Sequence, residues 1–359
     1  MNRLIRAVVD AAALRHNLKT IRERAPRDAR VMAVVKANAY GHGLVPTALG
    51  LVEADAFAVA RLEEGLALRA AGIAQPIVLL EGVFTSEHML EAAQHRFDLV
   101  VHDPLQIELL EELEGSHPFA LWIKIDTGMN RLGFRPEEFP AALERVRRLQ
   151  PAPTGIRLMT HLARADDRDD VFTRQQLARF NEATRGLDYE VSIANSAGIF
   201  GDVPMDCDWV RPGLALYGVS PFSDSNGPQL GLRPVMTLKT SVIAMRRVPK
   251  GETVGYGGAW RAEKDSNVAI IAAGYGDGLA RALQSGTPVA VGGRRAPLVG
   301  RVSMDMIAVD VTALQSVQVG TSVVLWGEDL PVEEVARHAG TIPYELLCGV
   351  SQRVPLELR

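Results

Sequence analysis

The feature of this sequence that most constrains its fold is an alternation of short apolar segments with charged segments over the first two-thirds of the chain. The apolar segments are typical of strands buried on both faces, and the charged segments repeat with helical periodicity. We predict eight strands, at residues 31–35, 56–60, 76–80, 98–101, 120–125, 155–160, 190–194 and 209–217. Helices are predicted at residues 61–71, 86–95, 104–113, 136–149 and 169–185, with Asp10 capping one more near the N-terminus.

Eight strand–helix alternations favour an α/β fold in which a parallel sheet closes into a (β/α)8 barrel. The alternative is an open, doubly wound sheet, which requires a glycine-rich phosphate loop after its first strand. The first predicted strand instead continues into VVKANAYGHG, which lacks that loop. We therefore prefer the barrel.

The chain changes character near residue 231. From there, β-branched segments are interrupted by glycine pairs and prolines, which is typical of a β-rich domain. Helical patterns return only at residues 332–339 and 343–348. We therefore predict two domains, a barrel over residues 1–230 and a mostly-β domain over residues 231–359.

The composition excludes several classes of protein. With 39 Lys and Arg against 43 Asp and Glu, the net charge is −4, and no basic block offers a grip on nucleic acid. Two cysteines, and histidines without ligand spacing, predict no metal site. The N-terminus lacks a signal-peptide pattern, and no apolar stretch reaches the ~18 residues of a membrane span. We expect a cytoplasmic protein without membrane contact.

Polar and charged residues follow most of the predicted barrel strands. In (β/α)8 barrels the active site lies at the carboxyl ends of the strands, so residues there are candidates for chemistry. The candidates are Lys36, Lys124, Asp126, Arg131, His161, Asn195 and Ser196, and Arg211 lies near the start of the last predicted strand. Packing alone does not explain polar residues that recur at this place.

Lys36 follows the first predicted strand directly. A partly desolvated lysine at a barrel mouth offers a neutral amine, which can form a Schiff base with a carbonyl compound. An isolated lysine at a strand end more often extends its ammonium group to solvent. The following AYGHG favours a site, because it supplies the Tyr40 hydroxyl and small residues that let a ligand approach the backbone.

Two further segments together predict an anion site. Asn195 and Ser196 begin NSAG, and Arg211 begins RPG, whose glycine is Gly213. A serine hydroxyl and backbone N–H groups can hold a phosphate without a P-loop, and barrels often place such sites beside their last two strands. Each segment alone is common in proteins, so the prediction of an anion site depends on both segments lying beside the last two strands.

Several motifs, taken in order, resemble those of the bacterial alanine racemase family. They run from Lys36 to Pro355 and read AVVKANAYGHG, KIDTGMNRLGF, MTHLARAD, NSAG, RPGLALYG, VGYGGAW, GYGDG, GRVSMDM and QRVP. The resemblance implies a fold-type III pyridoxal-phosphate enzyme with an N-terminal (β/α)8 barrel and a C-terminal β domain, assembled as a head-to-tail homodimer. Its implied activity is the interconversion of L- and D-alanine, for peptidoglycan synthesis or alanine catabolism.

The resemblance also implies roles for the residues that match these motifs. Lys36 carries pyridoxal 5′-phosphate and is the base facing D-alanine, whereas Tyr256 of the partner subunit is the base facing L-alanine. Arg211 faces the pyridine nitrogen, and His161 links it to Tyr256. The other implied cofactor-binding residues are Tyr40, Asn195, Ser196, Gly213 and Leu214.

Substrate-binding residues follow from the same motifs. Arg131 and the backbone of Met304 are implied to bind the substrate carboxylate, and Tyr275 to line the substrate entrance. Lys124 matches a position often carbamylated in the family, a modification that would orient Arg131. The chain departs from the family motifs at one place near the C-terminus, where many members read SYRVP and this chain reads SQRVP. Gln352 thus replaces a tyrosine that touches the phosphate, and its amide can still donate a hydrogen bond.

The chemistry of racemisation suits these residues. Inversion at Cα removes a proton from one face and returns one to the other, so two bases on opposite faces are the simplest arrangement. A tyrosine serves as a base at neutral pH only where neighbouring charge stabilises its phenolate, and His161 with Arg211 is the candidate source. An arginine has no acceptor, so Arg211 leaves the pyridine nitrogen unprotonated and is expected to limit transamination.

Two alternatives stay open at this point. One is a related barrel enzyme that uses pyridoxal phosphate, either a broad-specificity amino-acid racemase or a basic amino-acid decarboxylase. The other is a non-catalytic pyridoxal-phosphate carrier. Arg211 and Tyr256 argue against the decarboxylase, which in this architecture has an acidic group at the ring nitrogen and a cysteine from the second domain. The absence of a signal peptide argues against the broad-specificity racemase, and the β domain argues against the carrier.

Overall fold

A strand and a helix, β1 (Arg6–Val9) and α1 (Ala11–Arg24), precede a closed barrel of eight parallel strands in the computed structural model. The structure describes residues 4–113 and 119–359. The barrel strands are β2 (Arg30–Val34), β3 (Ala56–Val59), β4 (Ile77–Leu79), β5 (Asp98–Val101), β6 (Ala120–Lys124), β7 (Gly155–Met159), β8 (Val191–Asn195) and β9 (Trp209–Arg211). Parallel pairing of β2 with β9 closes the sheet, which confirms the predicted barrel and excludes the open sheet.

Helices follow the barrel strands along the chain. They are α2 (Lys36–Tyr40), α3 (Leu44–Gly50), α4 (Leu62–Ala70), α5 (Ser86–Gln94), α6 (Pro104–Glu111), α7 (Phe139–Arg147), α8 (Phe172–Ala183) and α9 (Ser196–Phe200). The five helices predicted between strands are all present, with ends shifted by up to three residues. Asp10 caps α1 as predicted, because its Oδ1 accepts from the backbone N–H groups of Ala12 and Ala13.

The last barrel strand is shorter than predicted. Residues 209–217 were expected to form one strand, but β9 ends at Arg211 and a 3-10 helix occupies Leu214–Tyr217. Pro212 follows the strand directly and has no N–H to continue the ladder, which accounts for the end. Arg211 is therefore the last residue of its strand, so it stands at the carboxyl end of the barrel where active sites form.

The C-terminal part of the chain is rich in β-structure, as predicted. Its strands are β10 (Met236–Val248), β11 (Thr253–Val254), β12 (Trp260–Arg261), β13 (Ser266–Ile271), β14 (Pro288–Val291), β15 (Arg294–Val299), β16 (Ile307–Asp310), β17 (Ser322–Trp326) and β18 (Leu356–Leu358). One sheet has the order β13-β16-β15-β14-β17-β10-β1-β18, and β11 pairs with β12. The two helices, α10 (Val332–Ala339) and α11 (Pro343–Cys348), have the predicted bounds.

The described residues divide into two compact units. The barrel unit comprises Leu18–Ala39 and Leu44–Leu216. The sheet unit comprises the described residues of Met1–Asn17 together with Tyr40–Gly43 and Tyr217–Arg359. The first strand belongs to the sheet unit because β1 pairs antiparallel with β10. The predicted domain of residues 1–230 includes residues 1–3 and 114–118, which lie outside the described part of the chain.

The described part of the chain offers neither a membrane-spanning helix nor a cluster of metal ligands. No helix within residues 4–113 and 119–359 is long and apolar enough to cross a membrane. Over the same residues, no group of three or more His, Cys, Asp or Glu side chains is arranged to hold a metal ion.

Candidate active site

Cationic side chains gather at the carboxyl end of the barrel strands. Burial, together with the charges of Arg211, Arg131 and Lys36, lowers the pKa of Lys124, the last residue of β6, to about 8. These four side chains come from the carboxyl ends of three strands, β2, β6 and β9, so the closed barrel is what assembles them. Asp126 acts in the opposite direction and raises the pKa of Lys124. The excess of positive charge makes this end of the barrel a binding region for anions.

Arg211 is the most deeply buried of these cations, with 5 % of its surface exposed. Nη1 donates to Ser192 Oγ at 2.6 Å, and Nη2 donates to the carbonyl oxygens of Thr160 at 2.5 Å and Ile193 at 3.3 Å. Burial lowers the pKa of Arg211 to about 10, which leaves it charged at neutral pH. All three partners are uncharged, so this guanidinium is fixed in orientation without a carboxylate.

His161 is uncharged and is oriented by Arg211. Burial lowers the pKa of His161 well below its usual range, and the charges of Arg211, Lys124, Arg131 and Lys36 act in the same direction. Its Nδ1 lies 3.5 Å from Nη2 of Arg211. Because a guanidinium can only donate, Nδ1 is the acceptor, which places the imidazole hydrogen on Nε2. The Nε2–H of His161 is therefore a hydrogen-bond donor on the side of the ring that faces away from Arg211.

The backbone of α2, which carries Lys36, is a left-handed turn and not a regular right-handed helix. Lys36 is half-buried, and the next four residues, Ala37–Tyr40, have φ angles between 52° and 54°. Residues other than glycine rarely adopt this left-handed conformation, so the surrounding structure must hold it. One holder is Glu64 of α4, whose carboxylate accepts from the backbone N–H groups of Ala37 at 2.6 Å and Ala60 at 2.9 Å.

If Lys36 carries the cofactor, as the resemblance implies, we expect Glu64→Gln to weaken cofactor retention by about tenfold, because a charge-assisted hydrogen bond to the strained turn is lost. The measurement is dialysis of the loaded protein with absorbance of the retained pyridoxal phosphate. Glu63→Gln is the matched control, since Glu63 is an exposed carboxylate on the same helical turn. Equal retention by the two variants would exclude a role for Glu64 in holding the Lys36 turn.

Ser196 and Gly213, which were predicted to form an anion site, lie together within the barrel unit. The Ser196 hydroxyl is buried and accepts from the backbone N–H groups of Gly213 at 3.0 Å and Ala215 at 3.2 Å. Both bonds use the lone pairs of the oxygen, so its hydrogen is the atom that can donate to an anion. Asn195 supports this turn, because its Oδ1 accepts from the Gly198 N–H at 3.0 Å. Leu214 is buried at the start of the following 3-10 helix.

Tyr40 lies among aromatic side chains of the sheet unit. Its ring centroid is 4.9 Å from that of Tyr217 and 5.6 Å from that of Tyr344. Burial raises the pKa of the Tyr40 hydroxyl, and Tyr344 and Cys348 raise it further. Tyr40 is thus a neutral phenol, the form that donates a hydrogen bond to an anion.

Tyr256 lies at an exposed hairpin tip in the sheet unit. It begins the short 3-10 helix Tyr256–Gly258 between β11 and β12, and 70 % of its surface is exposed. Its ring is therefore not covered in the way that the ring of a tyrosine packed on an edge strand would be. The φ angles of the flanking Gly255 and Gly257 are 75° and 70°, a conformation that favours glycine and makes the tight turn possible.

Tyr275, Met304 and Gln352 lie on three segments that hydrogen bonds hold together. The Tyr275 N–H donates to Ser303 O at 3.0 Å, which joins the first two segments. Arg353 Nε lies 3.0 Å from the buried Asp277 carboxylate, and its Nη2 lies 2.6 Å from Asp305 Oδ1, which fixes the third segment against the other two. Gln352 is exposed beside Arg353.

The predicted site residues therefore fall into two groups. The barrel unit holds Lys36, Lys124, Arg131, His161, Asn195, Ser196, Arg211, Gly213 and Leu214. The sheet unit holds Tyr40, Tyr256, Tyr275, Met304 and Gln352. The sequence analysis did not single out the residues that orient them, namely Glu64, Ser192, Asp277, Asp305 and Arg353. Three of these residues could have been found in the sequence, because GYGDG contains Asp277, GRVSMDM contains Asp305 and QRVP contains Arg353. Glu64 and Ser192 lie in no such motif.

Comparison with known proteins gives a consistent result. Family models match both parts of the chain, the alanine racemase N-terminal domain at residues 9–221 and the alanine racemase C-terminal domain at residues 235–358. An alanine racemase of Nitrosococcus oceani is 51 % identical over 350 residues, which cover 97 % of this chain and 98 % of that protein.

Solved structures agree. The biosynthetic alanine racemase of Pseudomonas aeruginosa is 44 % identical with a TM-score of 0.96 over 100 % of both chains. An alanine racemase of Bartonella henselae, with covalently bound pyridoxal phosphate, is 32 % identical with a TM-score of 0.89 over 100 % of both chains. The chain belongs to the alanine racemase family.

Proposed function

We propose that the chain inverts the Cα of alanine by moving its proton between two bases, Lys36 and Tyr256. The activity itself follows from the family: the chain is an isomerase that interconverts L- and D-alanine, with pyridoxal 5′-phosphate as its cofactor. The single observation that carries the proposed site is the cation cluster at the carboxyl end of the barrel, which includes Lys36. Its charge complements both the cofactor phosphate and the substrate carboxylate.

The donor set of the barrel suits pyridoxal phosphate. Lys36 supplies an amine for the aldehyde, and Ser196 supplies a buried hydroxyl whose hydrogen can reach the phosphate. Tyr40 and the backbone of Gly213 and Leu214 complete the proposed phosphate site, with the Gln352 amide as a further donor. Arg211, a buried cation with uncharged partners, is suited to donate to an unprotonated ring nitrogen.

The two bases act on opposite faces of the substrate. Bound pyridoxal phosphate draws electrons away from Cα and so acidifies its proton. Lys36 removes or returns the proton on the D-face, and Tyr256 does so on the L-face. Because His161 presents its Nε2–H, we propose that it donates to the Tyr256 oxygen and stabilises the phenolate, with Arg211 behind it.

Tyr256 is proposed to come from a second copy of the chain. Its exposure at a hairpin tip favours contact with another molecule, and the assembly we propose is a head-to-tail homodimer. Residues 231–359 would then form a domain that contributes to the partner's active site, and residues 1–230 the cofactor-binding barrel. Arg131 and the Met304 backbone are proposed to hold the alanine carboxylate, with Tyr275 at the entrance.

Optical inversion of alanine tests this function and its alternatives. Enantiomers have equal free energies, so the purified protein with pyridoxal phosphate should convert L-alanine to equal amounts of both forms. Release of carbon dioxide would instead indicate a decarboxylase, and cofactor binding without inversion a carrier. Faster inversion of other amino acids would favour the broad-specificity racemase. We propose a cytoplasmic location, with D-alanine serving peptidoglycan synthesis or the reverse direction serving alanine catabolism.

We propose that Lys124 is carbamylated and so orients Arg131. A pKa of about 8 leaves roughly a tenth of the Lys124 amine neutral at pH 7, far more than for an ordinary lysine. Only the neutral amine reacts with carbon dioxide, so we expect a carbamate carbon signal that grows as pH rises through 8. Protein equilibrated with 13C-bicarbonate allows this measurement by NMR. The signal should vanish in Lys124→Met; its persistence there, or its decline with rising pH, would contradict the proposal.

A further inference from the structure

A buried glutamine of α8 joins the two turns that carry Arg131 and His161. Gln176 is fully buried. Its Nε2 donates to Thr127 Oγ1 at 3.2 Å and to His161 O at 3.0 Å, and its Oε1 accepts from the Ala163 N–H at 2.8 Å. Both hydrogens of the amide are therefore used, one toward each turn.

Thr127 extends this connection. Its hydroxyl lies 2.9 Å from the Thr160 hydroxyl, and its carbonyl oxygen accepts from Arg179 Nη1 at 2.9 Å. Thr160 O in turn accepts from Arg211. Thr127 and Thr160 are both buried, so these hydrogen bonds are shielded from competing water.

The position of Thr127 is transmitted to Arg131 through a turn with its own hydrogen bonds. The base of the turn is closed by the Asp126 N–H, which donates to Phe134 O at 2.8 Å. Within it, Asp126 Oδ1 accepts from the N–H groups of Gly128 at 2.9 Å and Asn130 at 3.1 Å. Because residues 126–130 are held to one another, a shift at Thr127 displaces Arg131 as well.

A cavity borders part of this turn, although Phe172 and Arg179 lie close to Gly128 there. A cavity of about 800 Å³ lies beside it, lined by Asp126, Thr127 and Gly128 of the turn and by Phe172 and Arg179 of α8. A turn beside a cavity has fewer packing neighbours than one within a close-packed core, so its hydrogen bonds contribute more to its position. The bonds from Gln176 and Arg179 to Thr127 are therefore among those that set the position of the turn.

We propose that Gln176 and Thr127 are positioning residues that set Arg131 and His161 at their places in the site. The proposal rests on the proposed function, in which Arg131 binds the carboxylate of the substrate. Loss of the Thr127 hydroxyl should then weaken carboxylate binding more than it slows proton transfer.

Thr127→Val tests this with little change of shape. We expect the KM for alanine to rise about tenfold with kcat changed by less than about threefold, because the two buried hydrogen bonds of the Thr127 hydroxyl are lost. A second readout needs no turnover: propionate, a carboxylate without an amine, is titrated against the loaded protein and followed by the cofactor absorbance. Its Kd should rise by the same factor, and Thr127→Ser, which keeps the hydroxyl, should restore both values.

Thr173→Val is the matched control. Thr173 is a buried threonine of α8 whose hydroxyl has no hydrogen-bond partner among the residues that the structure describes, so its KM and propionate Kd should stay unchanged. An unchanged propionate Kd in Thr127→Val, or failure of Thr127→Ser to restore it, would overturn the proposal. If the unsubstituted chain neither inverts alanine nor binds propionate, the proposed function fails instead.

Discussion

Lys36→Ala is expected to lower alanine racemisation by about 10³-fold or more, because one side chain serves both as the covalent anchor of the cofactor and as the D-face base. The half-buried position of Lys36 within a cluster of cations distinguishes it from surface lysines. The measurement combines inversion of L-alanine with borohydride reduction and peptide mapping. In the unsubstituted protein a pyridoxyl group should be found on Lys36, and in the variant it should be absent.

Lys19→Ala is the matched control for this experiment. Lys19 is an exposed lysine of α1 that lies 3.8 Å from Glu23, and an exposed ion pair of this kind contributes little to stability. We expect full activity and normal cofactor labelling in this variant. Equal losses in the two variants, or a pyridoxyl group on another lysine, would remove Lys36 from its proposed role.

Tyr256→Phe is expected to lower inversion by about 10²- to 10⁴-fold, the range for loss of a positioned base. The two directions must lose kcat/KM equally, because the equilibrium constant between enantiomers is one. The roles of the two bases separate in isotope exchange instead. In D2O the variant should still exchange the Cα proton of D-alanine through Lys36, without inversion, and should lose exchange from L-alanine.

Tyr189→Phe is the matched control. It removes a tyrosine hydroxyl that accepts a hydrogen bond from Arg147 Nε at 2.9 Å, and it should leave both exchange rates unchanged. Equal residual exchange from L- and D-alanine in Tyr256→Phe would show that Tyr256 does not serve one face. Exchange retained from L-alanine and lost from D-alanine would reverse the assignment of the two bases.

The barrel could be predicted from the sequence because both faces of its strands are buried. Strand β3 is buried at each residue, so its sequence is a continuous apolar segment with a clear start and end. Where the apolar segment extends beyond the strand, the predicted end of the strand was wrong. Apart from Arg211, residues 209–217 lack charged side chains because the 3-10 helix after β9 is also buried, and hydrophobicity alone cannot distinguish the strand from that helix.

The first strand was missed for the opposite reason. β1 has four residues with alternating burial, and its partner β10 lies more than 200 residues away. Nothing in RAVV indicates which sheet it joins, because pairing over such a separation depends on tertiary structure. The domain boundary after residue 230 takes no account of this strand and stays a prediction.

The candidate site was predictable to the extent that its residues lie at or just after the carboxyl ends of strands. Lys36, Lys124 and His161 do so, and a closed barrel necessarily gathers such residues at one end. Gln176 and Glu64 lie within helices, where only the three-dimensional structure shows which backbone groups their side chains reach. The pairing of Lys36 with a tyrosine of another copy rests on the family resemblance, because no local pattern encodes a partner.

Mixed dimers test the central claim most directly, namely that Lys36 of one chain and Tyr256 of another serve one site. Lys36→Ala and Tyr256→Phe chains carrying different affinity tags are co-expressed, and the mixed dimer is isolated. In a closed two-fold dimer one of its two sites regains both bases, so we predict about half the activity of the unsubstituted dimer. A mixed dimer as inactive as either parent would contradict the claim.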